Sequence, residues 1–152
     1  MKNERYEYLI KYLESTIEDE KNFIANISNA SAIINENLDN LNWAGFYLYD
    51  GTELVLGPFQ GKPACVRIKL NKGVCGTAAF EKKSLIVPNV HEFPGHIACD
   101  AASNSEIVIP MYKNDKLIGV LDLDSFEYNN FDETDKLYLE KVVEVILNNS
   151  EI

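Results

Sequence analysis

Cysteine is scarce in this chain: three among 152 residues, none before position 65 and none after position 99. So few, in an odd number, exclude a disulfide-stapled scaffold. Basic residues are also few. Fourteen Lys and Arg stand against 24 Asp and Glu, a formal net charge of -10 and a pI near 4.6. Such a surface repels nucleic-acid phosphates and anionic membranes. No apolar run reaches the roughly 18 residues that a membrane span needs. The opening Met1-Lys2-Asn3-Glu4-Arg5 leads into a polar helical pattern without the apolar stretch of a signal peptide. The expected compartment is therefore the cytoplasm, where thiols rest reduced and a disulfide is more often transient and catalytic. Repeats, low-complexity tracts and linkers are missing too, so the expectation is a single domain, 1–152.

What is present is periodic. From Lys2 to Asn26, Tyr6, Leu9, Ile10, Leu13, Ile17, Phe23 and Ile24 recur at three- and four-residue steps, predicting one helix. A second is predicted over Asn29 to Leu38. The period then shortens to that of strands: Trp43 to Tyr49, the turn Asp50-Gly51, Glu53 to Phe59, and Cys65 to Leu70. After the turn Asn71-Lys72-Gly73, Thr77 to Glu81 suits a short helix, and Leu85-Ile86-Val87 a brief strand stopped by Pro88. Asn89 to Asn104 reads as a long loop, a class that is usually functional when it is ordered. Strands over Glu106 to Tyr112 and Leu117 to Ser125 follow, then a helix over Asp132 to Leu147 with Asp132 as N-cap. Helices flanking an antiparallel sheet make an α+β domain.

The chemistry concentrates between Gly57 and Asp124, which holds every cysteine and both histidines. Strand alternation puts Asp122 and Asp124 on one face and Leu121 and Leu123 on the other. A two-residue turn at Asn114-Asp115 would pair Ile107 with Asp122. A three- or five-residue loop pairs Ile107 with Leu123 and Glu106 with Asp124. Since a one-residue slip flips every side chain, a buried apolar face selects the second register, and Glu106, Asp122 and Asp124 converge. Three acids together raise the pKa of one or more of them, and a carboxylic acid protonated near neutrality can donate a proton. The bland alternative is an exposed acidic strand face with no role.

Thiols beside carboxylates suggest redox chemistry on a small polar substrate. Cys99 lies in Pro94-Gly95-His96-Ile97-Ala98-Cys99-Asp100, in the long loop just before the Glu106 strand. Cys65 opens a predicted strand. Cys75 sits between Gly73 and Gly76 in a turn ahead of a short helix, whose N-terminus lowers a thiol pKa. Each could equally be a small buried hydrophobe. His91, His96 and Cys99 have an H-x4-H-x2-C spacing, but no paired C-x2-C or H-E-x2-H motif accompanies it, and no metal site is expected. Trp43, the only tryptophan, is either a core residue or an apolar wall for a substrate.

Several of these stretches carry a resemblance. Gly57-Pro58-Phe59-Gln60-Gly61-Lys62-Pro63-Ala64-Cys65, Gly73-Val74-Cys75-Gly76-Thr77-Ala78-Ala79, the Pro94 to Asp100 run, Ser103-Asn104-Ser105-Glu106 and Gly119-Val120-Leu121-Asp122-Leu123-Asp124-Ser125 resemble the free methionine-R-sulfoxide reductases, a catalytic branch of the GAF domains. The match runs from about Asn42 to Phe131; Lys69-Leu70-Asn71 departs from the proline-phenylalanine-glycine common there. The resemblance implies a GAF-like antiparallel sheet of about six strands, with N- and C-terminal helices on one face and pocket-forming loops on the other. It implies reduction of free L-methionine (R)-S-oxide, with Cys99 as nucleophile, Cys65 as resolving cysteine in a Cys65–Cys99 disulfide, and Cys75 as an accessory thiol. Asp124 and Glu106 would serve the sulfoxide oxygen, Asp122 the substrate ammonium, and Trp43 the pocket wall. No cofactor is implied beyond an external dithiol such as thioredoxin, and a homodimer is expected. The rival readings are a non-catalytic GAF small-ligand sensor and a thiol redox sensor.

Overall fold

A computed structural model describes residues 1–96 and 100–152. Six strands form one antiparallel sheet: β1 (Leu41–Tyr49), β2 (Glu53–Gly61), β3 (Arg67–Lys69), β4 (Leu85–Val87), β5 (Ser105–Lys113) and β6 (Lys116–Ser125). Their order is β3-β2-β1-β6-β5-β4, so β1 and β6, distant in sequence, lie side by side at the centre. Helices α1 (Lys2–Ile17), α2 (Phe23–Asn37) and α4 (Glu133–Asn149) contribute to the core on one face, and α3 (Gly73–Glu81) to that on the other.

Alternation along the central strands explains this division. Ala44, Phe46, Ile107, Ile109, Leu121 and Leu123 point one way, into a core completed by Tyr6, Leu9, Leu13, Ile27, Ile34, Leu139, Val142 and Ile146 of the three helices. Trp43, Tyr47, Val108 and Val120 point the other way and meet Val74, Cys75, Ala78 and Ala79 of α3. The ends of the chain are tied together. Asp132 and Asp135 form a capping box at the start of α4, and Asp135 also accepts from the Tyr6 hydroxyl at 2.6 Å and Lys2 Nζ at 2.6 Å. The expected N-cap at Asp132 is the observed one.

The expected single helix over Lys2 to Asn26 is two. Helix α1 ends at Ile17, and Asn22 starts α2 by accepting from the Ala25 amide at 2.9 Å. The periodicity ran through the break because Phe23 and Ile27 continue, on α2, the apolar sequence that Ile17 closes on α1. The strand expected over Cys65 to Leu70 shrinks to Arg67–Lys69, with Val66 61% exposed before it. Helix α3 begins four residues ahead of the expected Thr77. Its close seating depends on Gly76, where a Cβ would lie 2.2 Å from the Lys69 carbonyl oxygen. The long loop contains a short 3-10 turn, Val90–Glu92, capped by Asn89.

The β5–β6 hairpin has the expected register for an unexpected reason. Its turn is the two-residue one, with Asn114 and Asp115 both at positive φ, the geometry that fits the twist of paired strands. Lys113 faces Lys116 and Tyr112 faces Leu117, but a shift between Met111 and Tyr112 places Met111 opposite Gly119. Beyond that bulge Ile109 faces Leu121, Ile107 faces Leu123 and Glu106 faces Asp124. The extra residue of the bulge, not a longer turn, brings the acids to one face.

Candidate functional site

Glu106 and Asp124 are cross-strand partners, as are Val108 and Asp122. Glu106, Asp122 and Asp124 open onto a cavity also lined by Trp43, Tyr47, Pro63, Cys75, His96 and Asp100. Glu106 and Asp122 are almost fully buried, whereas Asp124 is partly exposed. The Cys75 thiol lies 3.9 Å from Glu106 Oε2. Ligand atoms of Cys75, Glu106 and Asp122 all lie within 4.8 Å of one another. Among the described residues no Lys, Arg or His forms an ion pair with any of the three acids.

With no ion-pair partner among the described residues, protonation is what relieves the crowding of the carboxyls. Burial, followed by the charges of Asp122 and Asp124, holds the Glu106 carboxyl well above the ordinary range. Burial and the Asp122 charge do the same to Asp124, with Asp100 adding to the push. Asp122 is raised less: burial pushes it up, but hydrogen bonds with Glu106, Cys75 and Asp124 favour its ionised form. Of the three, Asp122 is the least displaced from its ordinary range, and Glu106 and Asp124 are held further toward the protonated form. Asp122 Oδ1 is buried with no hydrogen-bond partner among the described residues, an acceptor left unsatisfied.

The expectation for Cys75 is corrected. It does stand in the first turn of α3, but its thiol is raised well above the ordinary value by burial and by Asp122 and Glu106. The local carboxylates outweigh the helix dipole, and Cys75 is a free, buried thiol that stays protonated at neutral pH. Cys65 precedes β3 rather than opening a strand. It is half-buried, and its carbonyl accepts from the Tyr47 hydroxyl at 2.9 Å. Cys99 lies outside the described residues.

Trp43 is both a core residue and a cavity-lining one. It is 3% exposed, stacks on Phe59 at 5.2 Å and Tyr47 at 5.8 Å, and walls the cavity. Its Nε1 donates to the Lys62 carbonyl at 3.2 Å. Gly61 makes room: at φ 138° its missing Cβ would lie 2.6 Å from Trp43 Cδ1. Both histidines lie between β4 and β5. His91 Nε2 is 2.8 Å from Asn104 Oδ1. His96, shifted below its ordinary pKa by burial and then by the His91 charge, faces the cavity. Sequence reasoning missed Tyr47 and Asp100 as cavity residues. Tyr47 could have been found, since it shares the Trp43 face of β1; Asp100 lies in a loop with no period to read.

A GAF domain family model matches residues 29–147. The chain is 48% identical over 142 residues to the free methionine-R-sulfoxide reductase of Escherichia coli, covering 93% of this chain and 86% of that protein. It is 47% identical over 153 residues to the free methionine-R-sulfoxide reductase of Saccharomyces cerevisiae, covering 95% and 85%. Among solved structures, fRMsr of Staphylococcus aureus in complex with substrate superposes with a TM-score of 0.91 at 54% identity, covering 95% of this chain and 94% of that one.

Proposed function

The chain belongs to the GAF domain family and, within it, to the free methionine-R-sulfoxide reductases, and on that premise we propose that it is a single catalytic domain reducing free L-methionine (R)-S-oxide to L-methionine. The observation that carries the reading is the acid cluster, without an ion-pair partner among the described residues: two raised carboxyls beside a less raised Asp122 with an unsatisfied acceptor, under a tryptophan wall. A substrate with a basic oxygen and an ammonium group matches it. Asp122 receives the ammonium, which exists only in the free amino acid and so selects against methionine sulfoxide inside a protein. Trp43 covers the methyl and methylene carbons.

In the reaction the Cys99 thiolate attacks the sulfoxide sulfur. Asp124, the most open of the three acids, gives its proton to the sulfoxide oxygen, with Glu106 supporting. The protonated oxygen then passes to the Cys99 sulfur as the substrate S–O bond and the bond from Cys99 to the substrate sulfur break, so that methionine leaves as a thioether, reduced by two electrons, and Cys99, oxidised by two, is left as a sulfenic acid. Cys65 condenses with it, releasing water and closing a Cys65–Cys99 disulfide. An external dithiol of the thioredoxin type reduces that disulfide by exchange. No resident cofactor or metal enters these steps. Cys75, with its thiol held protonated by its surroundings, is an accessory and not the nucleophile. The expected setting is a cytoplasmic homodimer; no helix among the described residues is long and apolar enough to cross a membrane.

The deciding experiment supplies each of the two sulfoxide epimers with dithiothreitol and measures free methionine. The expected result is methionine from the R epimer and little from the S epimer. Release from neither would overturn the reading in favour of a sensor.

A further inference from the structure

One group beside the cavity has no part in the chemistry above. Asn42, the residue before Trp43 on β1, sends its amide nitrogen to two acceptors on the long loop: Asp100 Oδ2 at 3.0 Å and Ser103 Oγ at 3.0 Å. The loop turns back on itself there. Asp100 Oδ1 accepts from the Ala102 amide at 2.9 Å, and the Asp100 carbonyl accepts from the Ser103 amide at 3.2 Å. Ser103 is 5% exposed. Asp100 lines the cavity with Glu106, Asp122 and Asp124, and it directly follows Cys99 in the sequence. A single side-chain amide thus ties the turn from Asp100 to Ser103 to the central strand that carries the tryptophan wall.

We propose that Asn42 is a positioning residue: with Asp100 and Ser103 it forms a clamp that fixes the turn after Cys99 against the acid cluster and so sets the approach of the nucleophile to the sulfoxide. The reason is geometric. A nucleophile on a loop loses rate steeply with small misplacement, a 1 Å error costing on the order of 10²-fold. Among the described residues the other bonds within the turn are local, between Asp100 and residues 102 and 103; past the turn, the Asn104 amide donates to the Ser125 carbonyl of β6 at 2.8 Å. The Asn42 amide ties the other end of the turn, at Asp100 beside Cys99, to β1. It also fixes the Asp100 carboxylate beside the cavity, where its charge adds to those that keep Asp124 protonated. Asn42 touches no reacting atom, so its effect is on the chemical step and not on substrate affinity.

The proposal rests on the reductase reading, so its test has two readouts. Amide hydrogen exchange of the full chain, wild type against Asn42→Ala, reports the clamp itself. Exchange at Ala102 and Ser103 should speed at least tenfold while the β5 and β6 amides keep their protection. Single-turnover methionine release then reports its purpose. Asn42→Ala should slow release at saturating substrate about tenfold or more, with KM within about threefold of wild type. Asn42→Asp, equal in shape but without the amide donor and facing another carboxylate, should show the same loss and covers the case of a poorly folded alanine variant. In an Asp100→Ala background, Asn42→Ala should cost less than it does in the wild type, because one of its two partners is already gone. Unchanged exchange at residues 102 and 103 overturns the clamp. Fast exchange with an unchanged turnover rate, or additive losses in the double variant, overturns its positioning role. A wild-type chain that releases no methionine breaks the reductase reading instead, and exchange alone then decides whether the clamp exists.

Discussion

The two faces of the central sheet are built from the same strands and follow opposite rules. Toward α1, α2 and α4, β5 and β6 present Ile107, Ile109, Leu121 and Leu123, all at most 2% exposed and packed on apolar helix faces. Toward the cavity, alternate positions of the same strands present Glu106, Asp122 and Asp124, with no ion-pair partner among the described residues. Apolar burial on the first face stabilises the fold. On the second, burial of carboxyls costs stability and raises their pKa values. One face holds the chain in register, and that register delivers the acids to the other. Substitutions on the two faces should therefore fail in different ways.

The largest expected effect lies at the thiol. Cys99→Ser should abolish methionine release even with excess small-molecule dithiol, because a hydroxyl neither attacks the sulfoxide sulfur as a thiolate does nor forms a sulfenic acid. Thermal unfolding should be unchanged. Appreciable release would move the nucleophile to Cys65 or Cys75, and for Cys75 it would contradict the raised thiol that burial imposes.

Next comes the acid. Asp124→Asn keeps the shape but cannot transfer a proton, so the single-turnover rate should fall on the order of 10²–10⁴-fold. The loss should sit in kcat, because the proton is needed most in the transition state. A rate within a few-fold of wild type would leave Glu106 or water as the donor.

The opposite face should show the reverse pattern. Ile109→Ala, behind the sheet from the cavity and 2% exposed, should lose about 2–5 kcal/mol of stability through lost burial and a residual cavity. Below its lowered unfolding temperature it should retain near wild-type kcat. A large loss of kcat in a fully folded Ile109→Ala chain would mean that the two faces are not separable. Asp122→Asn should be milder and kinetic, raising KM roughly tenfold through a weakened ammonium contact, about 1.4 kcal/mol, with kcat less affected.

The comparison also shows what the sequence could and could not convey. The apolar face was legible, since Ile107, Ile109, Leu121 and Leu123 alternate without interruption, and from them the acid face followed. The bulge between Met111 and Tyr112 was not, because a longer turn and a two-residue turn with a bulge give the same pairing beyond it. The break between α1 and α2 was hidden because two helices in succession can share one period; only the cap at Asn22 marks it. The pKa of Cys75 was misread because position on α3 is visible in the sequence, while the carboxylates of β5 and β6 reach it only through the fold. The Asn42 clamp joins residues 58 and 61 positions apart, and no local pattern announces it.

The smallest expected effect tests the energetic half of the comparison at Glu106. Its carboxyl is held well above the ordinary range in the fold, first by burial and then by Asp122 and Asp124. In the unfolded chain it ionises near pH 4.3. Between those two pKa values the folded state retains a proton that the unfolded state gives up. The contribution of Glu106 to stability is therefore full below about pH 4, and it declines as pH rises toward the folded-state pKa, by at most about 1.4 kcal/mol per pH unit for one proton. Glu106→Gln resembles the protonated acid at every pH: it is neutral, of the same shape, and its amide can donate to Asp122 or Asp124. Denaturant unfolding of both chains from pH 5 to pH 8 should show wild type losing more stability than the variant over this range, so that the variant gains relative to wild type as the pH rises. Asp124 remains raised in the variant, so its curve should flatten without becoming level. Parallel curves for the two chains would show that Glu106 ionises in the fold as it does in water, and the cavity face would then be no costlier to build than the apolar one.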